Sequence, residues 1–240
     1  MSLSKGVVLA AALALITGLS VQAARADVYW ETVTTMTNVR HNKNGSFIQK
    51  YYLTPKGYRL DLGGKKIFIL DFDPLKLYVL KPKDRKYTVH DLKNLPWFPF
   101  GIIAEFIRLR VTPTADLKTI DGYLCHRFKV HFAILNGECW ISSEVGASEE
   151  FRILGKNMGT VLKDCPLFSR VDIPGAFDQV GGFPVYAVYH VLGGTVSMKL
   201  TKVERKPLAP DLFTLPKGYT PGKVKIADAP GKPVRLCSNP

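Results

Sequence analysis

Across residues 28–89, apolar and polar residues alternate in short runs broken every few positions by turn formers. A chain with this period folds as antiparallel strands with one buried and one wetter face. Residues 47–53 run into Thr54-Pro55-Lys56-Gly57, after which Tyr58-Arg59-Leu60-Asp61-Leu62 alternates apolar with charged. Gly63-Gly64 leads to a strand over 67–71, Asp73-Pro74 to one over 77–81, and Pro82-Lys83-Asp84 to one over 86–89. Each strand follows its predecessor within a few residues, so sequence neighbours are expected to pair as a meander.

After Pro96 the period changes. Phe98, Ile102, Phe106 and Leu109, flanked by Ile103 and Ile107, recur at helical spacing, with Gly101, Glu105 and Arg108 on the other side. A helix this apolar is expected across the concave face of a curved sheet, ending at Thr112-Pro113. Residues 123–132 return to strand, with Leu124, His126, Phe128, Val130 and Phe132 expected inward and Arg127, Lys129 and His131 outward. Asn136-Gly137 predicts a hairpin turn into Cys139-Trp140-Ile141. Residues 148–164 predict a helix with Glu149 and Glu150 at its N-terminal end, and 166–182 an irregular, glycine-containing stretch. Strands over 185–192 and 195–204 are expected to join at Gly193-Gly194, followed by a turn or short helix over 207–213. The expected fold class is α+β: a strongly curved antiparallel sheet, an incomplete barrel, with helices covering its concave face.

The first 26 residues have the layout of a secretory signal peptide: Lys5, an apolar stretch, then Ala24-Arg25-Ala26 before Asp27. The stretch is short for a membrane span, which needs about 20 apolar residues. The expected organisation is a signal peptide over 1–26, one domain over 27–220 and a Pro/Gly-rich tail over 221–240. Export predicts a periplasmic protein, or one at the cell surface or outside the cell, and a monomer. It makes Cys125, Cys139, Cys165 and Cys237 disulfide candidates, with three pairings open. The formal charge of +13 draws such a chain to anionic surfaces. The positive charges are spread along the sequence, and export argues against nucleic acid as a partner.

The residues offer little for catalysis. His126 and His131 are five apart on a strand and fall on opposite faces, so they cannot share a metal. Asp71 and Asp73 precede Pro74 and read as turn residues. Ser142, Ser143 and Ser148 lie outside any nucleophile-elbow pattern, and neither a phosphate loop nor a zinc, haem or iron-sulfur spacing is present. The expectation is a non-enzymatic protein without cofactor or metal. Its 13 Phe, 10 Tyr and 3 Trp instead either fill the inside of the sheet or line a cavity for an apolar ligand.

The pieces Gly57-Tyr58-Arg59-Leu60-Asp61, Ile69-Leu70-Asp71, Leu77-Tyr78-Val79-Leu80, Ile120-Asp121-Gly122-Tyr123-Leu124-Cys125, Cys139-Trp140-Ile141-Ser142 and Asp211-Leu212-Phe213-Thr214-Leu215-Pro216-Lys217-Gly218-Tyr219 follow one another in a recognisable order. Over about residues 28 to 220 the chain resembles bacterial exported proteins grouped as domain of unknown function 4412, related in architecture to the periplasmic lipoprotein carriers and receptors. The resemblance implies an incomplete barrel with a helical lid over an apolar cavity that receives acyl chains. By that analogy the helix over 98–109 belongs to the lid, contributing Ile102 and Phe106, while Tyr58, Leu60, Phe68, Leu70 and Trp140 are wall candidates. The implied function is to hold or sense a lipid, acyl chain or lipoprotein, with transient contact to a membrane surface and a part in outer-membrane biogenesis. The alternative is a scaffold or regulator of the same fold with a filled core, binding an envelope protein.

Overall fold

The structure, a computed structural model, describes residues 27–40, 44–94, 109–132, 135–163 and 172–223. The expected signal peptide, most of the helix over 98–109, Cys165 and the tail beyond residue 223 lie outside these residues. The alternating segments form β1 (Val28–Thr37), β2 (Gly45–Thr54), β3 (Gly57–Leu62), β4 (Lys66–Asp71), β5 (Lys76–Lys81) and β6 (Lys86–Asp91). Then come β7 (Leu109–Ile120), β8 (Tyr123–Phe132) and β9 (Leu135–Ser142), helices α1 (Ser148–Leu162) and α2 (Ile173–Val180), and strands β10 (Phe183–Val191), β11 (Gly194–Arg205) and β12 (Thr220–Pro221). All the described strands join one large, unclosed, curved sheet in the order β12-β6-β5-β4-β3-β2-β1-β11-β10-β9-β8-β7.

The first six strands form the expected meander. β1 then pairs with β11 as well as β2, so the first and the last long strands meet in the middle of the sheet. Two hairpins close through two-residue turns in which both residues have positive φ, Asp121-Gly122 between β7 and β8 and Leu192-Gly193 between β10 and β11. That backbone twist matches the twist of the flanking strands. Beyond β11 the chain crosses the outer face of the meander. The Arg59 guanidinium donates to the Leu212 carbonyl at 2.8 Å, and Phe213, Leu215 and Tyr219 pack on buried Ile67, Ile69 and Leu80. Thr220 and Pro221 finish the strap as a short parallel strand on β6.

Four expectations are corrected. Asn136-Gly137 lies inside β9, paired with His131 and Val130, and the hairpin closes earlier. A Cβ on Gly137 would overlap the Val188 carbonyl and the Tyr189 ring, so glycine here answers close packing instead of a turn. Leu109, expected in a helix, opens β7, and Thr112-Pro113 continues this strand instead of stopping a helix. Pro113 is tolerated because β7 is an edge strand that bulges between Pro113 and Leu117.

Along β8, Phe128 is buried and Val130 half-buried, but Leu124 and His126 are exposed and Cys125 is buried in their place. Past β9 the chain folds over this end of the sheet, where Val145 and Ala147 share a buried cluster with Cys125. Part of the stretch expected to be irregular is helix α2. The Asp172 carboxylate caps it, accepting from the Gly175 amide at 2.9 Å, and Gly181 ends it in a left-handed conformation.

Candidate functional site

Strand alternation sets a row of aromatic residues on one face of the sheet. Trp30 on β1 stands opposite Tyr51 on β2, and their rings stack with centroids 4.8 Å apart and 3° from parallel. Phe183 meets Trp30 edge-on at 5.6 Å, and Tyr58 on β3 lies at 6.2 Å. Such offset and edge contacts are the favoured geometries of aromatic rings. Farther across the sheet, Val130, Cys139, Ala187, Tyr189 and Met198 continue the same surface.

The two helices face this surface. α1 presents Phe151, Leu154 and Met158, and α2 presents Ala176, Phe177 and Val180, all of which line one cavity with the sheet residues. The helices touch closely, because Gly155 carries no side chain: a Cβ there would overlap the Phe177 ring. Phe151 bridges them to the sheet, 4.8 Å from Phe177 and 4.9 Å from Phe183. The cavity measures about 600 Å³ and its wall is almost wholly apolar. Volumes of about 300–1,000 Å³ are those in which proteins enclose most of a small ligand's surface.

The cavity has one polar corner. The Tyr51 hydroxyl donates to the Gln49 side-chain carbonyl at 2.5 Å, and Thr34 donates to the same oxygen at 2.9 Å. Burial raises the Tyr51 phenol above its usual range, partly offset by a hydrogen bond from Thr32. Burial raises Tyr58 further, with Tyr51 adding to the shift, and raises Tyr189 strongly, with Cys139 and Tyr51 adding to it. The Cys139 thiol is pushed up to about 12 by burial and, secondarily, by Cys125. All these groups are therefore neutral at ordinary pH.

Among the residues singled out from sequence, Tyr58 lines the cavity. Leu60, Phe68 and Leu70 share its face in the register but stand outside the lining, Leu70 being buried in a cluster with Leu75 and Leu92. Trp140 is also outside the lining. It shares a row with Arg127, on the opposite face from Cys139 and Ile141, and takes the cations of Lys118 and Arg127 over its ring at 5.9 Å each. Ile102 and Phe106 lie outside the described residues, as do Cys165 and Cys237.

Cys125 and Cys139 are free, buried thiols, contrary to the expectation that they are bridged. Cys139 stands opposite Phe128, three residues along from Cys125. Trp30, Tyr51, Phe151 and Phe177 were not anticipated as lining. For Phe177 a signal exists in Asp172, Pro174 and Gly181, the start and stop marks of a short helix.

The opposite face of β7 to β10 is polar. Arg110, His131, Asn136 and His190 align in one cross-strand row, with Thr112, Lys129, Glu138 and Val188 in the next, around a shallow hollow of about 570 Å³. Arg127 beside it is held by Asp116 at 2.5 Å and Glu138 at 3.4 Å. Among the described residues, no cluster of His, Cys, Asp and Glu is arranged to hold a metal ion, and no helix is long and apolar enough to cross a membrane.

Solved structures similar to this one are distant. PNGF-II is 12% identical with a TM-score of 0.41 over 85% of this chain, which spans only 32% of that protein. LprF from Mycobacterium bovis is 12% identical with a TM-score of 0.33, covering 86% of this chain and 96% of its own. The Mycobacterium tuberculosis lipoprotein LppX is 11% identical with a TM-score of 0.35, covering 86% and 99%. No curated protein sequence matches the chain. A family pattern does match residues 31–219, from within β1 to Tyr219 in the strap over the meander, and the chain belongs to the family described as Domain of unknown function (DUF4412).

Proposed function

We propose that this is a non-enzymatic, exported binding protein of the cell envelope that holds or senses a lipid, an acyl chain or an acylated protein in the cavity, with the helices as its cover. The observation that carries this reading is the hollow of about 600 Å³ between α1, α2 and the sheet, with a wall that is almost entirely apolar. Transfer of an acyl chain from water into such a wall is favourable by about 0.8 kcal/mol per methylene. An apolar hollow of this size among the described residues also supports ligand binding over the alternative of a scaffold with a filled core, because packed interiors leave few voids larger than a water molecule.

The basic row on the opposite sheet face supports transient contact with an anionic membrane surface during loading or release. Arg110 and Lys129 bring fixed positive charge there.

The test is native mass spectrometry of the protein purified without detergent, with lipid analysis of its organic extract. A stoichiometric lipid or acyl species is the expected result. Protein that is empty as isolated, and still empty after incubation with envelope lipids, would overturn the reading.

A further inference from the structure

The polar face of β7 to β10 is sorted by charge across its width. Register sets Arg110, His131, Asn136 and His190 side by side on four successive strands, a span of roughly 14 Å at the usual strand spacing. Thr112 and Lys129 stand in the next row at the β7–β8 end. Lys129 is the diagonal neighbour of Arg110, about 7–8 Å away across the strand pair, so the two long side chains can reach one anion. Neither makes an ion pair among the described residues. Arg127, by contrast, is balanced by Asp116 at 2.5 Å and Glu138 at 3.4 Å, and Glu138 also accepts from the Trp140 indole N–H at 3.2 Å. The fixed charge left over is positive and gathered at β7–β8.

At the other end of the row stand Asn136 and His190, both exposed. His131 Nδ1 donates to the Asn136 side-chain carbonyl at 2.5 Å, which orients the amide and leaves its NH2 group to donate elsewhere. The hollow between the two ends measures about 570 Å³, more than a bare phosphate fills. A phosphate offers three acceptor oxygens, enough for the Arg110 fork, the Lys129 ammonium and the Thr112 hydroxyl together. Alone it would leave Asn136 and His190 to water, whereas a phosphate carrying a hydroxylated chain or ring spans both ends.

We infer that this hollow binds a phosphorylated polyol, free or as a lipid headgroup, with the phosphate on Arg110, Lys129 and Thr112 and the hydroxyls on Asn136 and His190. This rests on the reading of the face as the side that meets an anionic membrane, names the group it meets there, and is independent of the cavity.

The experiment is titration of the purified protein with glycerol 3-phosphate, inorganic phosphate and glycerol in about 0.15 M salt, where diffuse attraction is screened, alongside sedimentation with phosphatidylglycerol and phosphatidylserine vesicles of equal anionic content. Glycerol 3-phosphate is expected to bind more tightly than inorganic phosphate, by about three- to tenfold for each hydrogen bond its hydroxyls gain, and glycerol alone not to bind. Arg110→Gln/Lys129→Gln should abolish binding of both phosphates. Asn136→Ala and His190→Ala should weaken glycerol 3-phosphate and leave inorganic phosphate unchanged, and retained uptake of an apolar probe by the cavity shows that each variant folds. Preference for phosphatidylglycerol vesicles assigns the ligand to a headgroup; equal binding of the two vesicles, with glycerol 3-phosphate still preferred, assigns it to a free phosphopolyol. If the two phosphates bind equally or not at all, or if Asn136→Ala and His190→Ala change nothing, the polyol site is overturned. Vesicle binding without headgroup preference then leaves general membrane contact standing, and absence of vesicle binding removes that reading as well.

Discussion

Trp30 and Tyr51 stack face to face across the β1–β2 pair, 4.8 Å between centroids, and the cavity opens directly from this stack. Trp30 is only 5% exposed, yet part of its ring forms the cavity wall, so it serves the core and the site together. Trp30→Ala is expected to destabilise the fold by about 3–5 kcal/mol, the usual range for truncating a buried aromatic. Trp30→Phe keeps a ring against Tyr51 and Phe183 and should cost less. Urea unfolding curves of the two variants check the order.

The sheet was more legible in the sequence than the site. β2 to β6 were readable because each strand alternates and each turn carries Gly, Pro or Asp, so local chemistry and fold agree there. What the sequence could not display is pairing between β1 and β11, at opposite ends of the chain, which brings Trp30 next to Val203 and Leu200 opposite Thr32. That long-range register makes the cavity, and it explains why Tyr58 was found while Trp30 and Tyr51 were not. Trp140 shows the sensitivity of such readings: it neighbours Cys139 and Ile141 in sequence, and alternation alone sends it to the other face. Pro113 was misread because the stop signal for a helix is also permitted in a bulged edge strand.

The contact between the helices rests on Gly155. Its backbone lies against the Phe177 ring with no room for a methyl group, in the middle of α1 where alanine would otherwise favour the helix. Gly155→Ala is therefore expected to destabilise the protein by about 1–3 kcal/mol through overpacking, against the direction of helix propensity. Adding Phe177→Ala makes room for the methyl, so the double variant should lose less than the sum of the two single losses. A double-mutant cycle from thermal or urea unfolding measures that coupling.

Cys139 reports on closure of the cavity. With its thiol pushed up to about 12, the thiolate is scarce at about pH 8, and native Cys139 should react with maleimide far more slowly than a free cysteine. The same shift gives a signed pH dependence. The native state keeps a proton that the unfolded chain releases near its ordinary value of about 8.5, so the associated stability is fully present below that pH and is lost as pH rises towards 12. Cys139→Ala should flatten the alkaline part of the stability profile relative to the unaltered protein, and leave a residual slope from the buried phenols of Tyr51, Tyr58 and Tyr189, which are shifted in the same direction. Denaturant unfolding at a series of alkaline pH values gives both slopes.

Contact with anionic membranes is predicted to run through the polar face of β7 and β8. Arg110 and Lys129 are exposed there on adjacent strands, while Arg127 is already held by Asp116 and Glu138 and has less charge to offer. Reversing both free cations in Arg110→Glu/Lys129→Glu removes attraction of about 1 kcal/mol for each basic residue near a charged bilayer and adds repulsion. Sedimentation with phosphatidylglycerol vesicles should therefore fall by at least about tenfold in affinity. The residual binding of the unaltered protein should weaken with salt, since exposed charges are screened over about 8–10 Å at physiological ionic strength. Pure phosphatidylcholine vesicles should not separate the two proteins. Displacement of an apolar probe from the cavity should be the same in both, because these side chains stand on the opposite face of the sheet from the lining. Equal binding of both proteins to the anionic vesicles would mean that the membrane is met by another surface.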